Sequence, residues 1–187
     1  MKAELIYYTD QWEIVNLAAR TTAWKSDAKY PSSNWKRRIA MAPHSPIRCI
    51  KFYVMVTDAP YYSVMHLCRH HVGFQPYVNS QRPDRSPSGA SRHDLPQDAL
   101  ISVMFEINAQ AMINISQDRL CNQADPVTQK LWTKIINAIG EREPELRSLC
   151  VKKCIRCGFC PEMKSCEYAS TDMFRLEVEE YRKGQVE

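Results

Sequence analysis

The sequence predicts an α+β domain, helices packed around a few strands, on three observations. Two short runs rich in β-branched and aromatic residues, IRCIKFYVMVTD at 47–58 and LISVMFEI at 100–107, have strand character. Around them, apolar residues recur at helical spacing in 11–20, 60–70, 108–124 and 126–143. With 187 residues, 44% of them hydrophobic and 25% charged, the chain suits one globular domain with a real core.

Each element has a local reason. In QWEIVNLAAR (11–20), Trp12, Val15, Leu17 and Ala19 fall near one side of a helix. A polar connection through Pro31 and a basic segment, WKRRIAMAP, lead to His44-Ser45-Pro46. In the first strand Ile47, Cys49, Lys51 and Tyr53 are expected on one face, with Ile50, Phe52 and Val54 opposite. Ala59-Pro60 ends it, and Pro60 suits the start of the helix PYYSVMHLCRH. Residues 86–93 are rich in Ser, Pro and Gly and read as a loop over a site. After the second strand, Ala109, Met112, Ile113, Ser116 and Leu120 share a helix face, and Pro126 opens another helix that ends near Gly140. The charged tail from Thr171 reads as a last helix.

Charge and targeting signals narrow the function. The net charge of +4 and pI near 8.6 allow anionic ligands but are too mild for wrapping DNA. No run is apolar enough to cross a bilayer, and the early Glu4 and Asp10 do not fit a secretory signal, so a cytoplasmic location is expected. The stretch Arg69–Arg85 gathers Arg69, His70, His71, Arg82 and Arg85 beside amides, hydroxyls and aromatic rings. Guanidinium forks suit phosphate, and flat rings suit a base or a flavin.

Three blocks carry a resemblance to the flavin-dependent thymidylate synthases. Arg69-His70-His71, followed by Ser80-Gln81-Arg82, is similar to the family's Arg-His-Arg signature with its later serine and arginine. Asn108-Ala109-Gln110, continuing to Asn114, Arg119, Leu120 and Ala124, looks like the family's Asn-Ala-Arg helix. Cys160-Pro161-Glu162-Met163-Lys164-Ser165-Cys166 resembles the tail of many members. His44-Ser45-Pro46 and Arg92 before Leu95-Pro96 fall in register as weaker matches.

The resemblance implies a small, mainly antiparallel sheet, with a catalytic domain over 1–146 and a Cys-rich extension over 147–187 packed on it. It implies a homotetramer with shared active sites, where FAD, dUMP and methylenetetrahydrofolate meet and NADPH reduces the flavin. Reductive methylation of dUMP to dTMP follows, with no cysteine nucleophile. Carried over by position, His66, Arg69, Ser80, Gln81, Arg82, Arg92 and Arg119 would bind dUMP, and Arg119 would act catalytically on the uracil. Ser45, Arg69, His70, His71, Asn108 and Asn114 would address FAD.

The departures cluster on the flavin side. His71 and Gln110 stand where the family has arginine, Val78 where it has glutamate, Pro83 where it has tyrosine, and Arg48-Cys49 where it has Glu-His. A related reaction such as hydroxymethylation of dUMP is therefore an alternative. The cysteines supply another: Cys150, Cys154, Cys157, Cys160 and Cys166 have spacing suited to zinc or an iron–sulfur cluster. A zinc-stabilised module binding single-stranded nucleic acid is the non-enzymatic reading, although no nucleic acid partner is expected from the enzyme reading.

Overall fold

A computed structural model describes residues 1–42, 44–86 and 89–183. Its centre is a four-stranded antiparallel sheet formed by β1 (Lys2–Tyr8), β2 (Lys51–Pro60), β3 (Phe74–Val78) and β4 (Leu100–Asn108), in the order β1-β2-β4-β3. Its helices are α1 (Trp12–Thr21), α2 (Ser33–Met41), α3 (Tyr61–Cys68), α4 (Ala109–Arg119), α5 (Pro126–Gly140), α6 (Pro144–Arg147), α7 (Lys153–Cys157) and α8 (Asp172–Lys183). The α+β expectation holds.

Strict alternation builds the central pair. Phe52, Val54 and Val56 of β2 stand opposite Ile107, Phe105 and Val103 of β4, and all six are buried. Helices α3, α4 and α5 pack across the sheet, and Phe74, Phe105 and Trp132 pack ring to ring there. The opposite face is partly open: Tyr7 lies 5.9 Å from Tyr53, and Lys51 pairs with Glu106 at 2.7 Å.

Two details differ from the alternation expected at 47–58. Residues Ser45–Cys49 form a 3-10 turn, so Ile47 is wholly buried while Cys49 is exposed. A bulge between Val56 and Ala59, with Asp58 in the left-handed region at φ 55°, ends the strict pairing. Both edge strands, β1 and β3, are additions to the two strands expected. β3 accommodates Pro76 because it lies at the sheet's edge.

The chain beyond residue 146 adds Leu149, Cys150, Ile155, Phe174, Val178 and Tyr181 to the same hydrophobic core. Of the predicted loop at 86–93, Pro87 and Ser88 lie outside the described residues, as do 184–187 of the tail. Among the described residues no helix is long and apolar enough to cross a membrane.

Candidate active site

The start of α3 and the exit of β3 make a cleft. The first amides of α3 have no partner within the helix; Tyr61 N–H donates to Ala99 O at 2.9 Å and Tyr62 N–H to Gln97 O at 3.0 Å. These bonds hold the 97–99 chain against the helix. On the other side, Asn79 N–H donates to Ser102 O, and Asn79 Oδ1 accepts from Ser102 N–H, fixing the chain as it leaves β3. Between them lies an open cleft of about 310 Å³, lined by Tyr61, Met65, Val78, Asn79, Ser80, Gln81, Arg82 and Arg92. A second, of about 280 Å³, shares Tyr61, Gln81 and Arg92.

Four residues predicted to bind dUMP, Ser80, Gln81, Arg82 and Arg92, thus meet around one space. Arg82 Nε and Nη2 donate to Asp84, each at 2.9 Å. Both partners are exposed, so the pair is worth about 0–1 kcal/mol and yields readily to a phosphate. Sequence reasoning missed Tyr61, Met65 and Asn79. The four-residue spacing of Tyr61 and Met65 along α3, which leads on to Arg69 just past its end, was the available signal.

A second cluster joins α3 to α4. Arg119, the last residue of α4, donates from Nε to His70 Nε2 and from Nη2 to His66 O, both at 2.9 Å. Accepting at Nε2 places the proton of neutral His70 on Nδ1. Burial, and then the charge of Arg119, hold the His70 pKa below its ordinary value, which keeps the ring in this accepting form. The Arg119 pKa is also lowered, by burial. His66 does not line the cleft; its Nδ1 meets Thr128 Oγ1 at 3.2 Å, and Tyr62 packs edge-on at 6.1 Å.

The residues expected to address FAD are less uniform. Arg69, His71, Ser45 and Asn114 are exposed. His71 Nδ1 lies 3.3 Å from Arg69 O, and the turn carrying Ser45 packs on α4. Asn108 is committed elsewhere: its Oδ1 accepts from Ala111 N–H at 2.8 Å, capping α4. Its amide also covers Gly73, whose φ of 71° and close approach leave no room for a Cβ. Asn108 therefore serves first as a helix cap. Gln110, in the first turn of α4, is buried with Oε1 lacking a partner.

The metal expectation is corrected. Among the described residues no three His, Cys, Asp or Glu side chains form a group ready to hold an ion. Cys150 is in the core, its thiol donating to Leu146 O at 3.5 Å and its pKa pushed up to about 11 by burial. Cys157 is exposed. Only Cys154, Cys160 and Cys166 of the expected five share a cavity, and Cys121 joins them there. A larger cavity, about 770 Å³, is lined by Lys130, Lys134, Arg147 and Lys152 among others and includes none of the nucleotide-side residues.

The sequence matches no family model and no curated protein. Solved structures do match. The flavin-dependent thymidylate synthase of Helicobacter pylori, complexed with FAD and dUMP, is 15% identical with a TM-score of 0.65, covering 81% of this chain and 100% of its own. A second structure of the Helicobacter pylori enzyme with FAD and dUMP is 16% identical, with a TM-score of 0.64 and coverage of 80% and 99%. A UMP/dUMP methylase of Streptomyces cacaoi, bound with 5-bromo-dUMP, is 16% identical, with a TM-score of 0.64 and coverage of 79% and 93%. The chain has the flavin-dependent thymidylate synthase fold.

Proposed function

We propose that this chain is a flavin-dependent transferase of the thymidylate synthase type, acting on dUMP. In this reading methylenetetrahydrofolate gives the carbon, NADPH is the reductant, and dTMP is the product. The carrying observation is Arg119, held at the meeting of α3 and α4 by His70 and the His66 carbonyl. In a fold whose solved examples hold dUMP or its 5-bromo analogue, that position suits a fixed cation beside the uracil.

The residues divide the work. Arg82 and Arg92 oppose the phosphate's charge, and Ser80 and Gln81 offer hydrogen bonds around the same cleft. Arg119 stabilises the anionic, more nucleophilic uracil without having to move. His70, as a neutral acceptor, aims the guanidinium. The flavin-side residues fit an FAD: Arg69 offers a cation, His71, Ser45 and Asn114 offer exposed polar groups, and Gln110 Oε1 is a buried acceptor in need of a donor. Bound there, reduced flavin would supply the hydride that completes the methyl group. A homotetramer with shared sites is part of this reading, and it is supported by the half-open sheet face carrying Tyr7, Tyr53 and Tyr77.

Complementation of a thymidine-requiring bacterial strain tests the proposal. Rescue by the chain and loss of rescue with Arg119→Ala are expected. Salt-sensitive oligonucleotide binding without dUMP binding would instead favour the nucleic-acid module. Hydroxymethylated dUMP as the product would move the reaction to the alternative chemistry on the same nucleotide.

A further inference from the structure

We propose that Thr128 and Asp125, at the start of α5, are positioning residues for Arg119: they lock the His66 ring with its proton on Nδ1 and so steady the carbonyl that aims the guanidinium. The ends of α3, α4 and α5 meet here. Arg119 closes α4, Asp125 caps α5, and His66 lies in the last turn of α3. The last carbonyls of a helix lack partners within it. Just past the end of α3, His70 N–H donates to Leu67 O at 3.0 Å, and His66 O accepts instead from Arg119 Nη2 at 2.9 Å. What holds residue 66 therefore holds the arginine.

The cap of α5 fixes where the protons sit. Asp125 Oδ2 accepts from Thr128 N–H at 2.7 Å and from Thr128 Oγ1 at 2.8 Å. Against burial, which alone would raise it, these bonds from Thr128 hold the Asp125 pKa below its ordinary value, so the carboxylate is ionised and only accepts. The Thr128 hydroxyl has a single proton, and that proton goes to Asp125. Toward His66 Nδ1, 3.2 Å away, Oγ1 can therefore only accept. Nδ1 must carry the ring proton, which leaves Nε2 of neutral His66 unprotonated. The opposite tautomer would set two lone pairs against each other.

An ordinary helix cap explains only part of this arrangement. The cap needs the Thr128 N–H, which any residue but proline would supply at that position. The hydroxyl is an addition: Thr128 is wholly buried, and its oxygen is satisfied by Asp125 on one side and His66 on the other. The Tyr62 ring packs edge-on to the imidazole at 6.1 Å, a second contact that restrains the ring. Arg119 is in turn gripped at two points, His66 O and His70 Nε2, which use two of its five N–H groups and leave three in one fixed plane. Aiming that plane is what the dUMP reading requires, and the effect of the relay on turnover rests on that reading.

The test is NMR of the full chain with isotope-labelled histidine and arginine, well above the ordinary histidine pKa of about 6.5, where the ring is neutral. The His66 signal, identified by its loss in His66→Gln, should show Nδ1 protonated and Nε2 bare, a measurement made on the unaltered chain. Thr128→Val keeps the side chain's shape and the cap N–H but removes the hydroxyl. It should move His66 to the Nε2–H form and speed solvent exchange of the Arg119 Nε proton about 3–10-fold, the worth of one neutral hydrogen bond. Turnover of dUMP should fall by a similar factor through kcat, with KM near the parent's, and Thr128→Ser should restore all three properties. A parent His66 protonated on Nε2 would overturn the relay, as would a Thr128→Val chain in which either the tautomer or the Arg119 exchange is unchanged. A chain that does not act on dUMP yet shows both NMR changes would keep the relay and sink the functional reading, so the two proposals fail separately.

Discussion

Arg119→Ala isolates the interaction that joins α3 to α4. The substitution removes the Nε donor to His70 Nε2 and the Nη2 donor to His66 O, each at 2.9 Å. Hydrogen bonds from charged donors are worth about 1.5–3 kcal/mol each. Because Arg119 is only partly buried, water can replace some of that, and we expect about 2–3 kcal/mol lost in urea unfolding. Loss of the fixed cation should lower turnover on dUMP about 10²–10³-fold. A pH signature separates the charge from packing. The His70 pKa is lowered from 6.5 by burial first and by Arg119 second. Just below 6.5 the unfolded chain binds a proton that the native state refuses, so native stability falls as pH drops through that window. Removing Arg119 lets the His70 pKa rise toward its ordinary value, and the variant should show a shallower fall. Arg119→Lys, with one charged group for two acceptors, should lie between. A variant that turns over dUMP like the parent, with an unchanged stability profile, would refute the role given to this arginine.

Other perturbations read different parts of the structure. Gly73→Ala puts a methyl group into the Asn108 side chain at a left-handed φ; strain of about 1 kcal/mol and loss of the α4 cap at about 1 kcal/mol should destabilise the fold by about 2 kcal/mol in chemical unfolding. Glu143 is buried and accepts from Trp12 Nε1 at 3.0 and 3.1 Å. Burial raises its pKa above 4.5, against the Trp12 hydrogen bond and Lys36, so its contribution declines as pH rises through the window above that value. Glu143→Gln should keep an acceptor and flatten this decline, whereas Glu143→Ala should cost about 1–3 kcal/mol by orphaning the Trp12 N–H. Arg92→Ala should weaken dUMP affinity in calorimetry by about 1.5–3 kcal/mol, the worth of a charged hydrogen bond, while leaving the unfolding midpoint near that of the parent.

Long periodic elements were legible in the sequence, and short or edge elements were not. The strands β2 and β4 and the helices α1, α3, α4 and α5 repeat their apolar positions often enough to announce themselves. β1 was overlooked because half of its side chains face water and a register shift falls between Leu5 and Tyr7. β3 has five residues, one of them Pro76, inside a stretch dominated by its charges. α2 hid for a similar reason: Lys36 is buried, its ammonium resting over the Trp12 and Tyr30 rings. On the nucleotide side, residue order was enough to bring Ser80, Gln81, Arg82 and Arg92 together. Asn108 was harder, since a capping asparagine and a ligand-binding one look alike in sequence. Cys121 lines a cavity with Cys154, Cys160 and Cys166 through tertiary packing, which spacing along the chain does not show.

Incubation of the purified chain with dUMP, FAD, methylenetetrahydrofolate and NADPH, followed by mass spectrometry of the nucleotide, tests the central claim most directly. The account predicts dTMP, formed only when flavin is present. Unchanged dUMP, from protein that takes up neither the flavin nor the nucleotide, would contradict it.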